Sequence, residues 1–277
     1  KKFTSIVSSR GCPYNCRFCC NQKLARSRWR PRSVDNTLEE LLYLTSAGYQ
    51  QFVFVDDSFT LSQKRVINLC KRIRQEKLDI EWMCEGRVDN CSYEMLKELP
   101  KAGCKLIYFG IESANQRLLN YYNKKITPQQ SENAIKTARK ARIDMIIGSF
   151  IVGALDETRE ELRNTFKFAK QLPIDFPQFH ILKSYPGTDI WDELTMKGLL
   201  NEEDYWETGV FVSKLGSSAV PFHEIRQMAY NALSDFIFRP SFLVRQVALL
   251  LKSPYRKSIL RTNWKQLGNI REEIRSV

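Results

Sequence analysis

Short runs rich in β-branched and aromatic residues alternate with longer amphipathic stretches along the first 185 or so residues. The runs are FTSIVSS (3–9), QQFVFVD (50–56), IEWMCEG (80–86), CKLIYFGI (104–111), DMIIGSFIVG (144–153) and FPQFHIL (176–182). Each is followed by a helical pattern, which is how a parallel sheet with helical crossovers reads. The helices carry their own start signals. Ser62 precedes QKRVINLCKRI, Thr127 and Pro128 precede QQSENAIKTARKA, and Thr158 with Glu161 has the spacing of a capping box. LPKAG ends a further helix at Gly103. Six βα units are too few for an eight-stranded barrel, so the pattern predicts an α/β fold, a partial (β/α)6 TIM-type barrel with right-handed crossovers, over residues 1–200. Beyond it, FHEIRQMAYNALSDFIF and FLVRQVALLLKS read as two helices, stopped by Pro240 and Pro254. Residues 201–277 are thus expected to be a helical C-terminal extension that caps the open barrel edge.

In such sheets reactive groups gather at the C-terminal ends of the strands. The unusual stretches fall there: RGCPYNCRFCC (10–20), DDSFT (56–60), Arg87, ESAN (112–115), GALDET (153–158) and SYPGT (184–188). His180, inside the last run, reads as a core residue.

Charge adds a second feature. The chain of 277 residues carries a net +12, concentrated at its ends: residues 1–32 hold nine Lys/Arg and no acid, and residues 239–277 hold nine against two acids. Basic ends admit a nucleic-acid partner, here the disfavoured reading, or contact of the basic amphipathic helices with a membrane surface. No apolar run reaches the roughly 20 residues of a membrane span. With neither an initiator Met nor a signal-peptide pattern, the expectation is a piece of a longer cytoplasmic protein.

Eight cysteines in such a chain point to metal or redox chemistry rather than disulfides. Cys70, Cys84, Cys91 and Cys104 read as small buried apolar residues. Cys12, Cys16 and Cys19 have the spacing CxxxCxxC, with Cys20 adjacent but outside it. A structural zinc site wants four ligands, and no second closely spaced pair is present. Three thiolates on one loop can instead hold three irons of a 4Fe-4S cube and leave the fourth open.

RGCPYNCRFC, FVDDSFT, GCKLIYFGIES and YPGT, in this order, resemble the radical S-adenosylmethionine (SAM) superfamily, in the branch whose members usually carry an N-terminal cobalamin-binding domain. The resemblance covers residues 5–200. It implies that Cys12, Cys16 and Cys19 ligate a 4Fe-4S cluster whose open iron binds SAM, and that reductive cleavage yields a 5'-deoxyadenosyl radical. It also implies a cofactor-binding set. Phe18 leans on the adenine side, Asp56, Asp57 and Ser58 receive the methionyl ammonium, and Arg87 faces the methionyl carboxylate. Glu112 and Ser113 hold ribose and the methionyl end, Gly153 lets backbone approach adenine, and Tyr185 comes from YPGT. GALDET departs from the Gly-x-Pro-Gly-Glu-Thr usual in the family. No DxHxxG segment is present, so a cobalamin would be carried by an upstream domain outside this chain.

The expected activity is therefore a cobalamin-dependent methyltransferase or cyclase acting on a small-molecule, lipid or natural-product-like substrate, with a flavodoxin or ferredoxin as electron donor. Two alternatives stay open: a cobalamin-independent radical SAM enzyme that only abstracts hydrogen, and a non-catalytic iron-sulfur or zinc module that binds nucleic acid.

Overall fold

The computed structural model describes residues 2–200, 203, 206 and 219–258. The strands, in chain order, are β1 (Lys2–Ile6), β2 (Ser9–Arg10), β3 (Arg30–Pro31), β4 (Tyr49–Phe54), β5 (Glu81–Arg87), β6 (Cys104–Glu112), β7 (Met145–Val152) and β8 (Phe176–Ile181). Six of them form one parallel sheet in the order β1-β4-β5-β6-β7-β8, while β2 and β3 pair antiparallel inside the first connection. Spatial order follows chain order, so every crossover advances the sheet by one place. The sheet curls into a half-barrel.

Each strand begins within a few residues of its expected run because the hydrophobic pattern is strong. β6 is nearly continuous in buried residues, as a strand covered on both faces must be. The end of the first run departs from expectation: β1 stops at Ile6, and Ser8 and Ser9 leave the sheet. Asp56 binds them there, its carboxylate accepting from Ser8 N at 2.7 Å and from both serine hydroxyls at 2.6 Å, while Ser9 pairs with Pro31 of β3. The chain is thereby turned toward the cysteine loop.

Among the helices, α1 (Asn21–Ala25) lies in that loop. The crossovers are α2 (Val34–Ser46), α3 (Gln63–Gln75), the short pair α4 (Tyr93–Leu96) and α5 (Glu98–Lys101), α6 (Gln116–Tyr121), α7 (Pro128–Lys140) and α8 (Arg159–Gln171). The side chains of Ser33, Ser62, Thr127 and Thr158 each accept a first-turn N–H, and the last two complete capping boxes. α3 buries Val66, Leu69, Cys70 and Ile73 on one stripe. Gly103, at φ +93°, closes α5 where a Cβ would stand 2.0 Å from the Ile80 carbonyl. Asp175, before β8, accepts from Arg139 and from Ile146 N, fastening α7 to β7.

After α9 (Asp189–Met196) come α10 (Phe222–Ile237) and α11 (Pro240–Lys252). The chain divides into two compact units between Ala232 and Leu233. In the first, Ile225 of α10 is buried with Val152, Leu162 and Val220, with Phe179 and Ile181 packed against them. In the second, the Phe236 and Phe242 rings meet at 5.0 Å and Arg239 lies over Phe236. Pro240 occupies the first turn of α11, so it starts one helix as well as ending another. Among the described residues no helix is long and apolar enough to cross a membrane.

The turn after β7 holds a titratable group. Glu157 accepts from Gly153 N at 2.5 Å and Ala154 N at 3.0 Å, shaping the GALDET segment. Burial pushes this carboxyl up from an ordinary 4.5 to about 7, against the pull of those two N–H bonds. The folded chain then binds the proton more tightly than the unfolded chain, so the residue's contribution to stability falls as pH rises from about 4.5 to about 7. Glu157→Gln, which can still accept both bonds, removes that slope. Urea denaturation across this window is expected to show the variant gaining on the parent as pH rises; a gap independent of pH would contradict the assignment.

Candidate active site at the strand ends

The cysteine loop is held by its backbone and by its side chains: Arg17 pairs with Glu193 at 2.8 Å, and the Tyr14 hydroxyl accepts from Asn90 Nδ2 at 2.8 Å. Gly11 takes φ +84°, and a Cβ there would stand 2.0 Å from the Arg28 carbonyl, so the turn requires glycine. Its N–H donates to Asp57 at 2.6 Å. Further on, Arg17 N donates to the Tyr122 carbonyl, Asn123 Nδ2 to the Asn15 carbonyl, and Ile190 N to the Arg17 carbonyl. The loop is thus tied to β4, α6 and α9. It turns Cys12, Cys16 and Cys19 into one cavity of about 1020 Å³. All three are free thiols, and burial pushes those of Cys12 and Cys19 above their ordinary range. Cys20 does not line the cavity; it stands at the N-cap of α1, where its carbonyl accepts from Lys23 N and Leu24 N.

Arg87, at the end of β5, joins the loop to the barrel. Its Nε and Nη2 grip the two oxygens of Asp89, both at 3.0 Å, and Nη2 also donates to the Lys124 carbonyl at 2.7 Å. Its Nη1 is 3.8 Å from the Cys16 sulfur, and the guanidinium lies 3.6 Å from the centre of the Tyr14 ring. Burial opposes this charge, but the bonds to Asp89 outweigh it and hold the group above its usual value. In this structure Asp89 takes the fork expected to face a methionyl carboxylate.

Glu112 ends β6 in the left-handed region, at φ 65°, beside a register shift between Gly110 and Glu112. Such a conformation in a bulky residue is strained and persists when its surroundings fix it. Lys124 supplies the fixing, pairing with Glu112 at 2.5 Å while both are almost fully buried. Gly110 leaves the room: a Cβ there would lie 2.6 Å from Glu112 Oε1 and 2.8 Å from Lys124 Nζ. Phe18 packs edge-on against Tyr122 at 5.6 Å and lies under Lys124.

Of the residues expected from sequence, Phe18, Asp57, Arg87, Glu112 and Tyr185 line the cavity with the three cysteines. Four others stand behind it. Asp56 is bound to Ser8 and Ser9, and Ser58 is buried at the start of the turn Phe59–Leu61. Ser113 bonds Thr165 and Asn115, and Gly153, at φ +86°, donates to Glu157. His180 is not in the core. β8 is the last strand of the sheet, and His180 is exposed on the cavity wall.

Residues the sequence reading passed over also line the cavity, notably Lys124, Glu85, Tyr108, Lys183 and Arg226. A signal for the strand members was present: Glu85, Tyr108, Ser149, Gln178 and His180 are polar interruptions in otherwise apolar runs. A half-barrel aims such residues at its interior. Burial raises the Glu85 carboxyl, and the nearby Asp57 and Glu112 raise it further.

The donor set fits a cluster. Among the described residues no three His, Cys, Asp or Glu side chains converge as one ion would require. A 4Fe-4S cube makes no such demand, because each thiolate takes its own iron. Arg87 beside Cys16, and Lys124 across from Phe18, supply positive charge for the resulting thiolates.

A sequence model described as the radical SAM superfamily matches residues 6–169. The chain is 40% identical over 246 residues to an uncharacterized methyltransferase of Pyrococcus horikoshii, covering 88% of this chain and 53% of that protein. It is 32% identical over 192 residues to the anaerobic magnesium-protoporphyrin IX monomethyl ester cyclase of Cereibacter sphaeroides, covering 67% of this chain and 31% of that protein. The chain therefore spans about half the length of the first of these relatives and under a third of the second. Among solved structures, the methyltransferase TsrM from Kitasatospora setae, with cobalamin and a 4Fe-4S cluster bound, superposes with a TM-score of 0.66 at 20% identity, covering 70% of this chain and 37% of that one. The cobalamin-dependent SAM radical enzyme OxsB gives 0.64 at 18% identity, covering 96% and 46%. At these identities the likeness is one of fold.

Replacing Cys12, Cys16 or Cys19 by Ala is expected to abolish the visible thiolate-to-iron absorbance of anaerobically reconstituted protein, whereas Cys20→Ala keeps it. Equal loss in the Cys20 variant would overturn this ligand assignment.

Proposed function

The chain belongs to the radical SAM superfamily, and from that premise we propose that it is the catalytic barrel of a cobalamin-dependent methyltransferase or cyclase. Members of the superfamily use a 4Fe-4S cluster and SAM. The reading is carried by one observation: three free thiols from a single loop line the same cavity as the residues at the ends of β4, β5 and β6.

The chemistry that cluster and cosubstrate supply when bound is one-electron reductive cleavage of the sulfonium, giving methionine and a 5'-deoxyadenosyl radical. The chain's own residues position and shield. Cys12, Cys16 and Cys19 hold the cluster, and Arg87 fixes the loop while placing positive charge beside Cys16. Asp57 receives the methionyl ammonium, with Asp56 and Ser58 bracing the turn behind it. Glu112, held in its strained conformation by Lys124, takes a polar end of the cosubstrate, with Ser113 bracing the loop behind it. Phe18 and Tyr185 wall the adenosyl side, and Gly153 shapes the turn behind it through its bond to Glu157. The apolar parts of the wall, Ile151, Ile181 and Leu182 among them, exclude water from a species that would otherwise be quenched.

The wider assignment has its own support. The cobalamin would come from a domain outside this chain; TsrM and OxsB, whose folds superpose on it, have cobalamin bound. Exposed Arg10, Lys23, Arg26, Arg28 and Arg30, around the cysteine loop, suit an acidic electron carrier such as a flavodoxin or ferredoxin in the cytoplasm.

Reconstituted anaerobically and supplied with SAM and a strong one-electron reductant, the chain is expected to release 5'-deoxyadenosine, and the Cys16→Ala variant to release none. Absence of the nucleoside from protein with a full cluster would refute the radical reading. Full-length protein that turns over unchanged without a corrin would replace methyl transfer or cyclisation by hydrogen abstraction alone.

A further inference from the structure

The charges around the cavity are sorted by strand. Among the described residues its acids, Asp57, Glu85 and Glu112, all stand on the β4, β5 and β6 side, next to the cysteine loop. Among the described residues no Asp or Glu lines it from β7, β8 or α10. There the wall carries three basic side chains: His180 in β8, Lys183 just past its end, and Arg226 in the first turns of α10.

The basic wall is built on fixed elements. Ile225, next to Arg226, is fully buried among Val152, Leu162 and Val220. The guanidinium of Arg159 grips both oxygens of Glu224 at 2.7 and 2.6 Å, so the start of α10 is clamped from two sides. His180 stands opposite Ile151 in the β7–β8 register, and both face the cavity. Three inter-strand steps separate β5 from β8, about 14 Å along the sheet. A cavity of about 1020 Å³ has room for a cosubstrate at the acid side and a second molecule reaching across.

We propose that His180, Lys183 and Arg226 form an anion subsite that anchors the carboxylate or phosphate of a small-molecule substrate, leaving its other end over the cysteine loop. Guanidinium and ammonium groups are the donors suited to both anions. The anchor sets which carbon meets the radical, because an elongated substrate pinned at β8 can present only its far end near β5. This inference rests on the reading of the barrel as a radical SAM site and names the substrate class for it.

The test uses the reconstituted chain saturated with SAM, so that the cosubstrate's place is filled. Three probes of one shape are titrated by calorimetry: 1-naphthyl phosphate, 1-naphthoate and the neutral 1-naphthylmethanol. At least one anion is expected to bind ten-fold or more tightly than the alcohol, and the tighter of the two identifies the group as phosphate or carboxylate. In Lys183→Gln/Arg226→Gln that preference is expected to fall at least ten-fold, with cluster absorbance and thermal midpoint reporting that the variant is folded. If the double variant does not fold, the exposed Arg226→Gln alone decides, by the same loss of preference. Anions binding no better than the alcohol, or a preference unchanged in the folded variants, would overturn the subsite. Release of 5'-deoxyadenosine is measured alongside: cleavage without anion preference removes only the subsite, and anion preference without cleavage removes only the radical reading.

Discussion

The site depends on where one buried guanidinium sends its hydrogen bonds. Arg87 stands at the end of a central strand, and its donors reach Asp89, the carbonyl of Lys124 and the sulfur of Cys16, with the ring of Tyr14 stacked on its face. These contacts join three segments that have no ladder between them: the cysteine loop, β5 and the turn after α6. Hydrogen bonds to charged groups are worth about 1.5–3 kcal/mol each. Removing the arginine would also strand the largely buried Asp89, a loss on the scale of about 3–5 kcal/mol for a broken buried pair. Held through Lys124, the same centre reaches Glu112, whose left-handed backbone is tolerated because its carboxylate is paired and Gly110 gives it space. The cysteine loop and the end of β6 are thus two ends of one polar network.

Around that network the parallel sheet does what its geometry allows. Strand ends meet on one rim, and short loops from different strands place thiols, carboxylates and cations within one cavity. Asp56 and Asp57 show how adjacent residues divide the labour: one is buried and fastens Ser8 and Ser9, and the other reaches Gly11 and the cavity. The acid side lies by the cysteines and the basic side three strands away, which gives the cavity a direction as well as a volume.

Much of this was legible in the sequence because it is local. The six strand runs, the caps at Ser62, Thr127 and Thr158, and the CxxxCxxC spacing are each read within a dozen residues, and each stands where expected. What escaped reading depends on contacts distant in the chain. The early end of β1 comes from a carboxylate 48 residues away, and the β2–β3 pairing comes from chain on both sides of α1. Lys124 sits in NYYNKKI with nothing to distinguish it from Lys125; its partner is chosen by the irregularity at the end of β6. His180 read as core because a histidine amid apolar residues usually is, but β8 is an edge strand and one of its faces opens into the cavity.

The claim that Arg87 organises both ends of the network is tested most directly by electron paramagnetic resonance of the reduced cluster in Arg87→Met, with and without SAM, alongside iron and sulfide analysis. Methionine keeps most of the side-chain volume and removes the donors, so a folded variant isolates the network. The account predicts that cluster occupancy falls by at least half, and that what remains no longer changes its signal when SAM is added. Full occupancy with an unaltered SAM-induced change would contradict it.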